Sequence, residues 1–310
     1  MGSSEPGATS DALVHAVDVF ALCGTIFGVA TTLGFGVLQL SAGLSHISGA
    51  NLSTLPFQLG LIAAVVALAG LSAATGLGKG VKILSELNMA LAIFLMLFIL
   101  LAGPTLYLLG AFSENLGFYL SNIVELTFRN FTYEPANSEG WLQGWTILYW
   151  AWWISWAPFV GMFIARISRG RTIREFIIGV LLIPATFNFL WMTVFGNSAI
   201  WVDTHSAMGA LGASAGNVDA LLFKFLDYLP YGTLTSVTAM ALIAIFFVTS
   251  ADSGAFVIDN IATRGHTESP IWQRLFWAAI LGLVAACLLT AGGLKALQAM
   301  TIVAALPFSI

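Results

Sequence analysis

Trp145, Trp150, Trp152, Trp153 and Trp156, with Tyr149, fall inside one stretch, WTILYWAWWISWAPFVGMFIARISRGRTIREF, residues 145–176. Read as a helix, Trp145, Tyr149, Trp152, Trp156, Phe159 and Phe163 share one face, with Trp153 on its flank. The electron-rich face of an indole attracts a cation by about 0.5–2 kcal/mol. That interaction matters most for a quaternary ammonium group, which has no proton to donate in a hydrogen bond. Two structural roles compete with this one. An interfacial aromatic belt accounts for one or two rings at a helix end, and helix–helix packing in a membrane favours small residues. Neither accounts for a stripe running about 20 Å down a helix that rises about 1.5 Å per residue.

A second constellation is FFVTSADSG, residues 246–254. Hydroxyls and a carboxylate inside an apolar helix are costly unless they meet a cavity or partners. Thr249, Ser250 and Ser253 can offer oxygens to a hard monovalent cation, or bond back to carbonyls of their own helix. Asp252 stands near the inner end of the same segment, where pairing with an inner-loop arginine is the expected role. A third stretch, GTIFGVATTLGFG at residues 24–36, combines small residues suited to close helix approach with the hydroxyls of Thr25, Thr31 and Thr32.

Other chemistries find no support. His15, His46, His205 and His266 are scattered, with no metal-ligand spacing, phosphate loop or nucleophile elbow. Neither a resident cofactor nor a metal beyond a monovalent ion is expected. Arg166, Arg169, Arg171 and Arg174 serve as an orientation signal and lipid-phosphate anchor, not as a nucleic-acid patch.

The elements that position these residues must be membrane helices. The 310 residues are 58% apolar and only 8% charged, with mean hydropathy +0.91, against about 25% charged residues in a soluble domain. Cys23 and Cys287 both lie in apolar runs, which argues against a disulfide framework. Apolar stretches predict spans over roughly 16–44, 57–75, 86–109, 141–167, 175–199, 233–262 and 270–291, and a partial one from 293 onward. The fold class is therefore all-α, a polytopic membrane bundle. With the amino terminus inside, inner loops carry Lys79, Lys82, Arg166, Arg169, Arg171, Arg174, Arg264 and Arg274. Outer loops carry only Arg129, Lys224 and Lys295, the bias expected of cytoplasmic loops. Residues 1–15 form a polar cytoplasmic lead without the pattern of a signal peptide. Residues 112–131 place Leu116, Leu120, Ile123 and Thr127 or Phe128 on one face, an amphipathic helix for the outer interface. It suits packing on its own chain and contact with another subunit equally. Residues 203–231 are expected to be a partly folded outer loop. The apolar run at the carboxyl end has no flanking charge, so the chain is expected to be cut off there.

The 145–176 stretch closely resembles the signature of the betaine/choline/carnitine transporter family. VFALCGTIFGVATTLGFGVLQL, FFVTSADSG and LKALQAMTIVAALPFSI support the likeness, which covers nearly everything from Val14 onward. The resemblance implies an inverted-repeat transporter fold of twelve spans in the bacterial inner membrane, of which this chain would hold the fifth to part of the twelfth. Residues 16–109 would then be three spans of the first repeat, and residues 141–310 the second repeat with its last span truncated. It also implies that Trp153 belongs to a central aromatic box, with Trp152 and Trp156 lining the site and inner path. The main sodium site would use Thr249, Ser250 and a carbonyl near Phe246. A second sodium site would use Thr25 and Phe159, but Val29 occupies the place of its other hydroxyl. That departure points to the choline branch, some of whose members use protons. A homotrimer through residues 112–131 is implied as well. The function expected is symport of choline, or next glycine betaine, with Na⁺ or H⁺. A solute sensor without flux and an inactive fragment of the same family remain as alternatives, and a membrane enzyme lacks the convergent acid–base or metal set it needs.

Overall fold

The computed structural model describes residues 8–74, 80–134, 138–263 and 270–309. Residues 1–7 of the polar lead, the expected inner-loop cations Lys79 and Arg264, and the side chain of Arg166 lie outside that description. Every regular element among the described residues is helical, and seven helices are long and apolar enough to cross a membrane. The chain is a multi-pass integral membrane protein with an all-α bundle fold.

The bundle is assembled on α1 (Ala8–Ser48), which starts well before the expected boundary and takes in part of the polar lead. From Leu22 to Leu40 its residues are largely apolar on every side, so this part suits a buried position. Val29, Ala30, Leu33 and Val37 are almost fully buried. Lipid tails are as apolar as these side chains, so close contact rather than water exclusion holds such helices together. Gly36 shows what this requires: a Cβ there would collide with the Phe247 ring.

Helix α2 (Leu55–Ala74) follows, then α3 (Gly80–Ala102). The third span thus ends at Ala102, not 109. Gly103 closes the last turn with its amide on the Ile99 carbonyl at 2.9 Å, and Pro104, without an amide hydrogen, cannot extend it. Helix α4 (Thr105–Phe128) consequently begins seven residues earlier than the amphipathic helix expected at 112–131. It packs through Leu108, Asn115 and Tyr119. Asn115 donates to Thr193 Oγ1 at 3.1 Å and to Asn197 Oδ1 at 3.2 Å, and Tyr119 meets Phe189 edge-on. Leu120 and Phe128, from the predicted apolar face, point away from the chain.

The aromatic stretch runs through α5 (Ser138–Trp141), a π-helical turn at Leu142–Ile147 and α6 (Leu148–Ile167). Pro158 lies inside α6, which continues past it. The next membrane crossing is α7 (Ile173–Ile177), α8 (Ile183–Met192) and α9 (Ser198–His205), joined by π turns at Ile178–Leu182 and Thr193–Asn197. Thr172 and Glu175 start it with a reciprocal capping box. Two short helices, α10 (Ala210–Ala213) and α11 (Val218–Leu226), fold the outer loop. Helix α12 (Gly232–Ala262) then returns through the bundle.

The last helix, α13 (Ile271–Ala305), is interrupted by non-helical Gly292 and Gly293, the latter at φ 59°. A Cβ is poorly tolerated at that φ, which glycine adopts freely. The chain reverses there. Before the break, Leu275 lies near Gly70 and Gly282 near Val66, antiparallel to α2. After it, Leu297 lies near Gly34 and Phe308 near Gly24, antiparallel to α1.

Candidate functional site

The aromatic stripe forms two runs of ring contacts. Trp141 and Trp145 stack at 5.4 Å, Trp145 and Tyr149 at 5.8 Å, and Tyr149 leans on Trp152 at 6.1 Å. Trp152 stacks on Phe35 of α1 at 5.0 Å, and Trp156 meets Phe159 edge-on at 5.1 Å. Trp152 Nε1 also donates to α1, toward Thr32 Oγ1 at 3.2 Å and the Gly28 carbonyl at 3.3 Å. A Cβ at Gly28 would meet Ser155 and, at 3.1 Å, Trp156. The glycine therefore lets α6 lie directly on α1 at the level of these two tryptophans.

Trp152 and Trp156 are brought together on the α1 side of α6. Trp153, one residue round the helix, is 70% exposed and stands apart from them. Phe163 is exposed as well, and Phe159 is half-buried. Phe35 escaped the sequence reading because nothing in its spacing shows which helix α6 meets.

On α12, Ser250 is buried and Thr249 half-buried. The Thr249 hydroxyl donates to the Phe246 carbonyl at 3.0 Å, so the two groups named for an ion are adjacent and already bonded to each other. The hydroxyl oxygen keeps lone pairs with which to meet a cation. On α1, Thr25 is 1% exposed and its hydroxyl donates to the Ala21 carbonyl at 2.8 Å. Val29 is buried against α12, where a Cβ at Gly254 would meet it at 2.9 Å. Thr31 ties the two ends of the chain together: it donates to the Leu297 carbonyl at 3.0 Å and accepts from Thr301 at 2.6 Å. No group of three or more His, Cys, Asp or Glu side chains able to hold a metal occurs among the described residues.

Asp252 differs from expectation. It is 1% exposed and accepts from Ser72 of α2 at 2.7 Å, not from an inner-loop arginine. Arg274, counted with the inner-loop cations, is itself 8% exposed, drawn inside because the helix carrying it packs between α2 and α12.

At the outer face, His46 Nε2 meets Asp227 at 2.9 Å. Beside it Ser41, Ser45, Ser53, Gln58 and Asp219 line a cavity of about 330 Å³. Burial pushes the Asp219 carboxyl above its usual range.

A multi-pass bundle with aromatic rings of α6 laid against its central helix α1 defines a polytopic membrane protein. Comparison with known proteins makes the class specific. Residues 7–310 match BCCT, the betaine/carnitine/choline family transporter, and the chain belongs to that family, whose members are transporters and not enzymes. It is 51% identical over 295 residues to the glycine betaine transporter of Acinetobacter baylyi, covering 95% of this chain and 44% of that protein. It is 47% identical over 295 residues to the glycine betaine transporter OpuD of Bacillus subtilis, covering 95% of this chain and 57% of that protein. It is 41% identical over 298 residues to the high-affinity choline transport protein of Escherichia coli K12, covering 95% of this chain and 44% of that protein. The chain spans about half the length of the curated relatives it matches.

Proposed function

We propose that the intact protein takes up a quaternary-ammonium solute across the bacterial inner membrane by alternating access, coupled to Na⁺ or H⁺ entry. The ring series from Trp141 through Trp152 to Phe35 carries this reading, because it lines a membrane-spanning helix with aromatic rings where that helix meets α1. Trp153 presents its ring to the solute, with Trp152 and Trp156 lining the inner path. Thr249, Ser250 and the Phe246 carbonyl hold the coupling ion if it is Na⁺. With Val29 in place of a hydroxyl, a second Na⁺ site at Thr25 and Phe159 has the weaker support.

Choline and glycine betaine share the trimethylammonium group, and the rings read only that group. The sequence reading favoured choline. The two relatives named for glycine betaine alone are more identical to this chain than the Escherichia coli one named for choline alone, so glycine betaine is the first substrate to assay. The outward faces of Leu120 and Phe128 suit α4 for a contact in a homotrimer. Uptake of radiolabelled choline and glycine betaine by the intact protein, with Na⁺ and pH varied separately, tests the reading. Specific binding without uptake would favour a solute sensor, and absence of both would overturn the reading.

A further inference from the structure

Helix α12 buries two carboxylates, Asp252 and Asp259, each 1% exposed and separated by about two helical turns. Phe256 lies four residues after the first and three before the second, so it neighbours both on the helix surface. Arg274 of α13 places its guanidinium carbon 4.8 Å over the Phe256 ring. The arginine therefore stands over the step between the carboxylates, within electrostatic reach of Asp252. Yet no bridge closes. Arg274 Nε and Nη2, Asp252 Oδ1 and Asp259 Oδ1 are buried without a hydrogen-bond partner. The other Asp252 oxygen is occupied by the Ser72 hydroxyl, which fixes that carboxylate to α2.

Buried charge without a partner is strongly destabilising, and removing one member of a buried pair normally exacts that cost in full. Orphaned donors on α13 and orphaned acceptors on α12 are complementary, so a movement of α13 relative to α12 that brings them together would satisfy both. We propose that Arg274 and Asp252 form a latch that is open in this conformation and closes as an ion pair in another state of the cycle, joining α2, α12 and α13 at the inner end. In the open state the guanidinium rests on Phe256, whose ring face gives it partial compensation. This inference rests on the transport reading for its role in a cycle, but the pairing itself can be tested without transport.

The test uses the intact protein in liposomes and detergent, with Arg274→Gln, Asp252→Asn and the double variant. Uptake of glycine betaine, its affinity by tryptophan fluorescence, and the melting temperature are measured for each. Arg274→Gln should slow uptake at least tenfold while affinity stays within threefold. Adding Asp252→Asn should cause no further loss, and the two melting shifts should be non-additive. Independent effects that multiply, or equal losses of binding and uptake, overturn the latch. If Arg274→Gln does not fold, recovery of folded protein in the double variant supports the pairing, and failure of both overturns it. Absence of uptake by the unmutated protein would count against the transport reading alone, because the melting cycle still reports the pair.

Discussion

Trp152 lies nearly flat on Phe35, ring planes 19° from parallel, while its indole nitrogen reaches Thr32 one turn away on the same helix. One side chain thus fixes both the distance and the register of α6 against α1. Trp152→Phe keeps a ring on Phe35 but leaves Thr32 without its donor, a loss of about 1 kcal/mol. Trp152→Ala removes the stack as well and should cost about 3–5 kcal/mol. Melting temperatures in detergent should fall in that order. Equal shifts for the two variants would mean the hydrogen bond, not the stack, sets the contact.

Trp153 makes the opposite prediction, because its ring is 70% exposed and little packing depends on it. Trp153→Ala should leave the melting temperature within about 2 °C, as substitutions away from packed sites usually do. Binding of glycine betaine or choline should weaken about tenfold or more, and Trp153→Phe should recover part of the loss because a ring face survives. Equal affinity losses in Ala and Phe variants would rule out cation–π recognition at this position.

How much of this was legible beforehand depends on range. The stripe from Trp145 to Trp152 is a matter of helical spacing, so its ring contacts could be anticipated from the sequence. The end of α3 was misplaced because hydropathy continues through Leu106–Leu109, whereas Gly103-Pro104 stops the helix by backbone chemistry. Partners on distant segments carry no local signal: nothing near Phe35, Ser72 or Thr301 announces Trp152, Asp252 or Thr31. Arg274 was misread for the same reason, since a cation at a helix start looks like a loop residue until its neighbours are known.

The hydroxyls on α12 can be tested as a pair. Thr249→Ala with Ser250→Ala removes two oxygens while retaining the helix, and alanine is the better helix former. If Na⁺ drives uptake, the double variant should lose most of its sodium stimulation with little change in expression. Uptake that stays fully sodium-dependent would place the ion elsewhere.

Gly36 tests the close approach of α1 and α12. A methyl group there would overlap the Phe247 ring, which is 5% exposed and has little room to turn. Gly36→Ala should destabilise the protein by about 1–3 kcal/mol, the usual cost of overpacking. Combining it with Phe247→Leu should recover part of the melting temperature. Absence of recovery would indicate that the backbone, not the ring, yields to the methyl group.

Asp219 carries the pH prediction. It lies outside the membrane-spanning helices, half-buried in the wall of the outer cavity, and burial raises its carboxyl pKa above the usual value. A carboxyl that holds its proton more tightly when folded favours the folded state at low pH. That advantage is lost as pH rises from the ordinary aspartate value, about 3.9, through the raised folded value. At neutral pH the buried charge is therefore a net cost. Asp219→Asn should raise the melting temperature at pH 7, and the gain should shrink to nothing as pH is lowered toward about 4, where aspartate is itself becoming neutral. A gain that persists unchanged at low pH would trace to amide hydrogen bonding instead of relief of charge, and a loss at pH 7 would show that the carboxylate is held there by a cation.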